Sequence, residues 1–350
     1  MRILIFTLFS VFTCFALCGQ NGTWAISQIV FSMWPEDWFG EAPMKQLEDE
    51  AWRRLWSKRH SFKPVLPIRE VSMESCNLAP LNLSEPILLR GYLNATNSSV
   101  LREWNLDWLS DGERGNVAVT YFSDARVSAR EGGAIPDGIA PLNEVVRQLR
   151  EGRPVKPGSE NLFRAFPYLV EDLPLEHLGG LFGGIHQFQS SAIGKTLTVP
   201  IFLSSNSPQK SPSSISRKEP GTRTDFHCEP IANLAIQLQG RKKWTLANPS
   251  ESMALRPKVS RDGRAYIYSD IDPEDNEALG RAERLTAVAE AGDLLYVPAW
   301  WWHRVDYENC TSFTVSLFHL RFGQLLRNNP LFAFVLLPNL IKELLSWKTQ

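Results

Sequence analysis

Short apolar runs separated by turn formers dominate the second half of the chain: Ile231 to Leu238, Trp244 to Leu246, Ala265 to Tyr268, Leu294 to Val297 and Thr311 to His319, with Gly, Pro, Asp and Asn between them. Runs of this length and spacing predict strands of an antiparallel sandwich or barrel. Upstream, the pattern predicts a strand at Ile87 to Leu89, a helix around Val100 to Leu109, a strand at Val117 to Tyr121 and an amphipathic helix over Leu142 to Leu149. Leu197 to Leu203 reads as an apolar strand whose internal Pro200 points to a sheet edge or a bulge. The fold class is therefore mainly β with flanking helices (α+β).

The two ends read differently. Residues 19–85 form a Trp-rich extension in which Leu47, Trp52, Leu55 and Trp56 recur at helical spacing, best read as a packing face. At the other end, residues 323–350 read as a helical segment. There Leu340, Ile341, Leu344, Leu345 and Trp347 share one helical face, which suggests docking on the core or a homodimer contact. The apolar run Pro330 to Pro338 is too short to span a bilayer. Between strands, Ser204 to Thr222 is rich in Ser, Pro and Lys and is expected to be a mobile loop.

Composition narrows the function. The chain has 350 residues, 43% hydrophobic and 21% charged, enough for a sizeable core and against disorder as its main state. With 37 Lys and Arg against 38 Asp and Glu, the net charge of −1 provides no global positive field, so a nucleic-acid partner is not expected. Residues 1–18 begin with Met1 and Arg2, continue as an apolar run and close with the small residues Ala16 and Cys18. That is the form of a secretory signal peptide, an uncleaved anchor being the alternative. Five Asn-x-Ser/Thr sites, at Asn21, Asn82, Asn94, Asn97 and Asn309, support a glycoprotein of the endoplasmic reticulum lumen or secreted space. Past the leader, Cys76, Cys228 and Cys310 permit at most one intramolecular disulfide.

Candidate chemistry gathers in two segments. Thr224-Asp225-Phe226-His227-Cys228-Glu229-Pro230 places His227 and Glu229 two residues apart, so in an extended strand they share a face while Cys228 points away. Gly292-Asp293, a four-residue apolar strand, Pro298 and an aromatic run lead to His303. Two imidazoles and a carboxylate form a facial triad suited to Fe(II), with positions left for a bidentate cosubstrate and O2. The His-x-Glu spacing taken bare fits a core histidine equally well; the delivery of His303 into an apolar pocket favours the metal. A tight turn at Gly240-Arg241 would put Lys242 on the face of Asn233, Glu229 and His227 and turn Lys243 outward, in a hairpin that must bend for Lys242 to approach the metal, with Pro230 the candidate position. Parity alone also fits a solvated hairpin lysine.

These motifs together resemble the JmjC-type, cupin-like Fe(II)/2-oxoglutarate oxygenases, particularly the protein-hydroxylase branch that includes the asparaginyl hydroxylase of the hypoxia response. The resemblance covers 86–322 and is carried by Pro86 to Gly91, Thr-x-x-His-x-Glu at 224–229, Gly240 to Lys242, Gly-Asp-x-x-Tyr-x-Pro leading to His303, and Thr314-Val315-Ser316. It implies a double-stranded β-helix, a jelly-roll core, with iron held by His227, Glu229 and His303. It implies 2-oxoglutarate with its far carboxylate on Lys242 and Thr224, Asn233 and Ser316 near the other end, and Tyr168 as an additional carboxylate-binding tyrosine. Glu229 stands where Asp is commoner, and the loop ending at Thr222 is longer than usual. The expected activity is hydroxylation of a side chain on a protein of the secretory lumen, the alternative being a catalytically silent module that binds a partner or a glycan.

Overall fold

The computed structural model describes residues 24, 61–73, 83–122, 126–127, 136–153, 155–175, 177–178, 196–204, 223–259, 265–337 and 339. The leader, the helical spacing of Leu47, Trp52, Leu55 and Trp56, the loop 205–222 and the face from Leu340 to Trp347 lie outside them.

Sixteen strands form one connected sheet system among the described residues. In the first half of the chain these are β1 (Val65–Pro67), β2 (Arg69–Ser72), β3 (Ile87–Arg90), β4 (Ala118–Phe122), β5 (Arg126–Val127), β6 (Gly138–Pro141) and β7 (Lys156–Ser159). The second half adds β8 (Thr196–Thr198), β9 (Ile201–Ser204), β10 (Arg223–Cys228), β11 (Ala232–Ala247), β12 (Pro257–Val259), β13 (Ile267–Ser269), β14 (Arg284–Ala289), β15 (Leu294–Val297) and β16 (Trp302–His319).

The long antiparallel pair β11 and β16 organises the fold. Its first portion, Ala232 to Gln239, pairs with Phe313 to His319, and β15, β3 and β2 extend that sheet on one side and β9 and β7 on the other. Its second portion, Arg241 to Ala247, pairs with Trp302 to Glu308, flanked by β14 and β1 on one side and β10 and β13 on the other. Register shifts on both sides of Gln239, beside Gly240 at φ 74, separate the two portions. A bulge with a left-handed glycine bends a strand without ending it. The expected hairpin at Gly240-Arg241 is therefore corrected: the chain does not reverse there, and the two runs expected as separate strands are one 16-residue strand.

The two portions face each other across a shared interior. Ala235, Leu295 and Val297 from the first cluster with Trp244, Ala287, Val305 and Tyr307 from the second. On the outer face Leu234, Ile236, Leu294, Tyr296 and Leu317 pack with Leu142, Val145, Val146 and Leu149 of the helix Leu142–Arg150. Those four helical positions recur at i, i+3, i+4 and i+7, and each buried side chain stabilises the layer by about 1.5–3 kcal/mol before entropy is counted. This is the jelly-roll core with flanking helices that the sequence predicts.

Three local expectations change. The helix expected over Val100 to Leu109 is two, Val100–Glu103 and Leu106–Ser110, because the Asn105 side chain accepts from the N–H groups of Asp107 and Trp108 and starts a new helix. Pro200 splits its strand into β8 and β9. The 19–85 extension, expected to be helical, contributes β1 and β2, which pair with β14 and β3. Trp24 from the same extension is fully buried, donating from Nε1 to the Pro257 carbonyl and packing on Phe332. The C-terminal helices Phe322–Asn328 and Pro330–Val335 fold onto this core through Leu325, Phe332 and Val335. No helix among the described residues is long and apolar enough to cross a membrane.

Candidate active site

Strands β10 and β16 bring the two histidines together. His227 pairs directly with His303, and their ring centres lie 4.2 Å apart. Alternation from Thr224, which pairs with Val305, would leave His227 on the opposite face; the register shift between Thr224 and His227 turns both inward. Arg223 and Asp225 use the other face for a buried ion pair at 2.9 Å. Cys228, as expected, points away from the histidines into the cluster of Phe226, Trp300 and Trp302.

Backbone carbonyls set the tautomer of both rings. Nδ1 of His227 lies 2.8 Å from the Asp225 carbonyl and Nδ1 of His303 lies 3.1 Å from the Trp301 carbonyl. An acceptor at Nδ1 places the proton there and leaves the Nε2 lone pair for a metal. Burial, reinforced by the neighbouring His227, pushes the His303 imidazole down to about 3 against the Trp301 bond, so the ring is neutral at physiological pH.

Glu229 lies just past the end of β10, half-buried, and its carbonyl accepts from the Trp300 N–H at 2.8 Å. Trp300 has φ 67, left-handed for a bulky residue, held by that bond and by its Nε1 donating to the Leu325 carbonyl at 2.8 Å. This turn directs the chain into β16 and His303. Among the described residues no three His, Cys, Asp or Glu side chains come within metal-holding geometry, so the structure assembles the histidine pair and not the complete triad. The histidines are set by the strand register, whereas three side-chain torsions separate the Glu229 carboxylate from its fixed backbone.

Lys242 faces the interior and is 2% exposed, with Lys243 outside. Its parity agrees with the sequence, although the cause is a bulged strand instead of a hairpin. Lys242 pairs with Tyr307, and Leu246, four residues on, pairs with His303. The strand run from Lys242 to the histidine level is thus about 13 Å at ~3.3 Å per residue. The Lys242 ammonium lies 4.6 Å from the centre of the Tyr307 ring and 5.8 Å from that of Phe202, and no hydrogen bond or ion pair reaches it from the described residues. Burial, and secondly the charge of Lys156, holds its pKa well below the usual lysine range. Thr224 hydrogen-bonds Tyr307, whose phenol burial pushes up to about 12.

Asn233 and Ser316 also line the interior, 5% and 1% exposed, and the Asn233 Oδ1 and Ser204 Oγ are buried without a hydrogen-bond partner among the described residues. The site fits the implied groups: two imidazoles with Nδ1 held by carbonyls suit iron, and an ammonium without a hydrogen-bond partner among the described residues suits a small anion. Tyr168 is not brought to this interior. It is 57% exposed on a 3-10 turn, with its ring edge-on to Phe166. Sequence reasoning missed Tyr307 and Lys156; the alternation of β16 from His303 through Val305 was the available signal for Tyr307. It also gave the Gly-Asp-x-x-Tyr motif no structural task. Asp293 accepts from Arg90, Gly91 N–H and Glu290 N–H, and the Tyr296 hydroxyl hydrogen-bonds Gln324, so this motif clamps the strand that precedes His303.

Comparison with known proteins agrees with this architecture. The cupin-like domain family matches residues 81–323. The chain is 32% identical over 252 residues to tRNA wybutosine-synthesizing protein 5 of Mus musculus, covering 70% of this chain and 74% of that protein. It is 34% identical over 90 residues to HSPB1-associated protein 1 homolog of Danio rerio, covering 24% of this chain and 20% of that one. With Jumonji C domain-containing protein 5 of Drosophila melanogaster it shares 32% over 99 residues, 27% and 24% of the two chains. The latter two matches span a minor part of those proteins. A family match running from before β3 to the first C-terminal helix takes in both facing portions of the barrel, and this chain belongs to the cupin-like, JmjC-type family, which includes 2-oxoglutarate oxygenases.

Proposed function

We propose that this protein is an Fe(II)- and 2-oxoglutarate-dependent dioxygenase that hydroxylates a side chain of a protein in the secretory pathway. The observation that carries the reading is the placement of a buried ammonium without hydrogen-bond partners among the described residues, Lys242, in the same interior as two imidazoles whose Nδ1 atoms are fixed by carbonyls. His227 and His303 would hold the metal with Glu229 as the third ligand after side-chain rotation. Bound iron and cosubstrate together supply the oxidising power for inserting oxygen into a C–H bond.

The chain's own residues bind and orient. Lys242, with Thr224 through Tyr307, receives the far carboxylate of 2-oxoglutarate, while Asn233 and Ser316 offer polar atoms to its other end. The apolar walls formed by Trp244, Val305 and Leu295 exclude water, which strengthens each of these charge interactions.

The lumenal placement rests on the leader and the sequons. Asn94 and Asn97 are exposed, as glycan acceptors must be. The tRNA in the mouse relative's name is not carried over, because 37 basic against 38 acidic residues leave no positive field for a polyanion. One observation favours the alternative, a silent lumenal binding protein: the described residues do not gather a complete metal triad. The test is expression with and without Lys242→Ala in secretory cells, followed by mass spectrometry of glycosidase-treated secreted proteins. A peptide gaining one oxygen only with the wild type supports the reading. Glycan-free Asn94 and Asn97 with no such peptide would overturn it.

A further inference from the structure

On the outside of the barrel one guanidinium lacks the partner that its burial calls for. Arg284, the first residue of β14, is half-buried, and its Nε is buried with no hydrogen-bond partner. Among the described residues no carboxylate pairs with it, and the charge it does feel is that of another cation, Arg304. Burial, and secondly that charge, lowers the Arg284 pKa, yet an arginine stays protonated at physiological pH.

The register places both arginines on the outer face of the second barrel portion, away from the histidines. Thr245 pairs with Thr286 on one side and Arg304 on the other. Arg284 lies two residues before Thr286 and shares its face, whereas Trp244, His303 and Val305 alternate inward. Strands β14 and β16 flank β11 at about 4.8 Å each, so the two backbones run about 10 Å apart with Thr245 between them. Arg304 is held in place: its Nε and Nη2 donate to Asp306 and its Nη1 to the Pro273 carbonyl at 3.0 Å. One N–H on each Nη remains, and Arg284 keeps its whole fork of donors. Further along the same face Arg241 is matched by Glu290 and Glu308, so the uncompensated charge is at the Arg284 end. There Ala247 and Trp302 pack with Ala278, Leu279 and Ala282, and the arginines stand where the sheet meets that segment.

We propose that Arg284 and Arg304 form a binding site for a tetrahedral oxyanion, phosphate or sulfate. A planar carboxylate is satisfied by one guanidinium fork, whereas a tetrahedral group presents acceptors to both arginines and to the Thr245 hydroxyl at once. An anion there offsets the repulsion between the arginines and gives the buried Nε its partner. The site lies across the sheet from the histidine interior, so its failure would leave the oxygenase reading untouched.

The test is thermal unfolding of the full chain with inorganic phosphate, inorganic sulfate, glucose 6-phosphate and glucose 6-sulfate, at ionic strength matched with chloride. Wild type, Arg284→Leu, Arg284→Lys, Lys243→Ala and Lys242→Met are compared, and affinities follow from the rise of the midpoint with concentration. Arg284→Leu should weaken binding about tenfold or more, the loss of charge-assisted hydrogen bonds, and be at least as stable as wild type without ligand. Arg284→Lys should recover only part of the loss, because an ammonium lacks the fork. Lys243→Ala and Lys242→Met should bind nearly as wild type, which separates a built site from the general charge of this face and from anion entry into the interior. Esters bound at least as tightly as the inorganic ions assign the site to a carried group, and weaker esters assign it to the free ion. Equal affinity in wild type and Arg284→Leu, a comparable loss in Lys243→Ala or Lys242→Met, or no wild-type shift beyond chloride with any of the four overturns the site.

Discussion

His227 and His303 are directly paired across β10 and β16, and the register shift after Thr224 is what turns His227 inward to meet its partner. Both rings have Nδ1 against a backbone carbonyl. Replacing either with Ala should abolish measurable Mn(II) or Fe(II) binding by calorimetry while the unfolding midpoint of the metal-free protein changes by a few degrees at most. Retained binding in either variant would remove the pair from the metal site.

Lys242 is a group retained at a cost to stability. Its lowered pKa means that the unfolded chain binds more protons between the folded value and 10.5, so stability rises with pH through that window. Lys242→Met should flatten that rise and lift the ligand-free midpoint at neutral pH by about 2–4 °C, equivalent to ~1 kcal/mol, while 2-oxoglutarate binding is lost. A variant less stable than wild type at neutral pH would show that the ammonium is compensated within the protein.

Acid should unfold the metal-free protein through its buried imidazoles. His303 and His319 are both lowered from 6.5 to about 3, chiefly by burial, with His227 the second cause for His303 and Arg321 for His319. Their neutral forms contribute stability that is present above 6.5 and is lost as the pH falls towards about 3. The midpoint measured against pH should therefore fall less steeply below 6.5 in His319→Gln than in wild type. Identical slopes would exclude His319 as a contributor.

Gly240 sets the bend that allows one strand to serve both portions of the barrel. With φ 74 it sits where a side chain is strained, and Gly240→Ala should cost about 1–2 kcal/mol. Because Lys242 is two residues beyond the bend, 2-oxoglutarate affinity should fall as well. Denaturant unfolding and calorimetry measure the two effects separately, and an unchanged affinity would place the determinant of Lys242 orientation elsewhere.

Most strands and the candidate pair His227 and His303 were legible because alternation is local, whereas the inward position of Lys242 was reached through a hairpin that the chain does not make. Irregularities were less legible. The bulges at Thr224 and Gly240 change parity by one residue, and only pairing partners from distant segments reveal them. Lys156 was hidden in Pro154-Val155-Lys156-Pro157-Gly158, where Pro and Gly suppress any strand signal, yet pairing of β7 with β9 and β4 holds it extended. Tyr168 illustrates the opposite case. The family resemblance implied a ligand contact for it, and the 3-10 turn of Pro167–Asp172 leaves it 57% exposed.

The most direct test of the oxygenase reading is succinate formation by the purified mature protein with Fe(II), ascorbate and 2-oxoglutarate, with and without a secretory-pathway protein fraction. Wild type should form succinate above both His227→Ala and Lys242→Ala, even in slow turnover uncoupled from hydroxylation. Wild-type succinate no greater than that of the two variants, with the protein fraction present and iron binding absent, would contradict the oxygenase and favour the silent binding module.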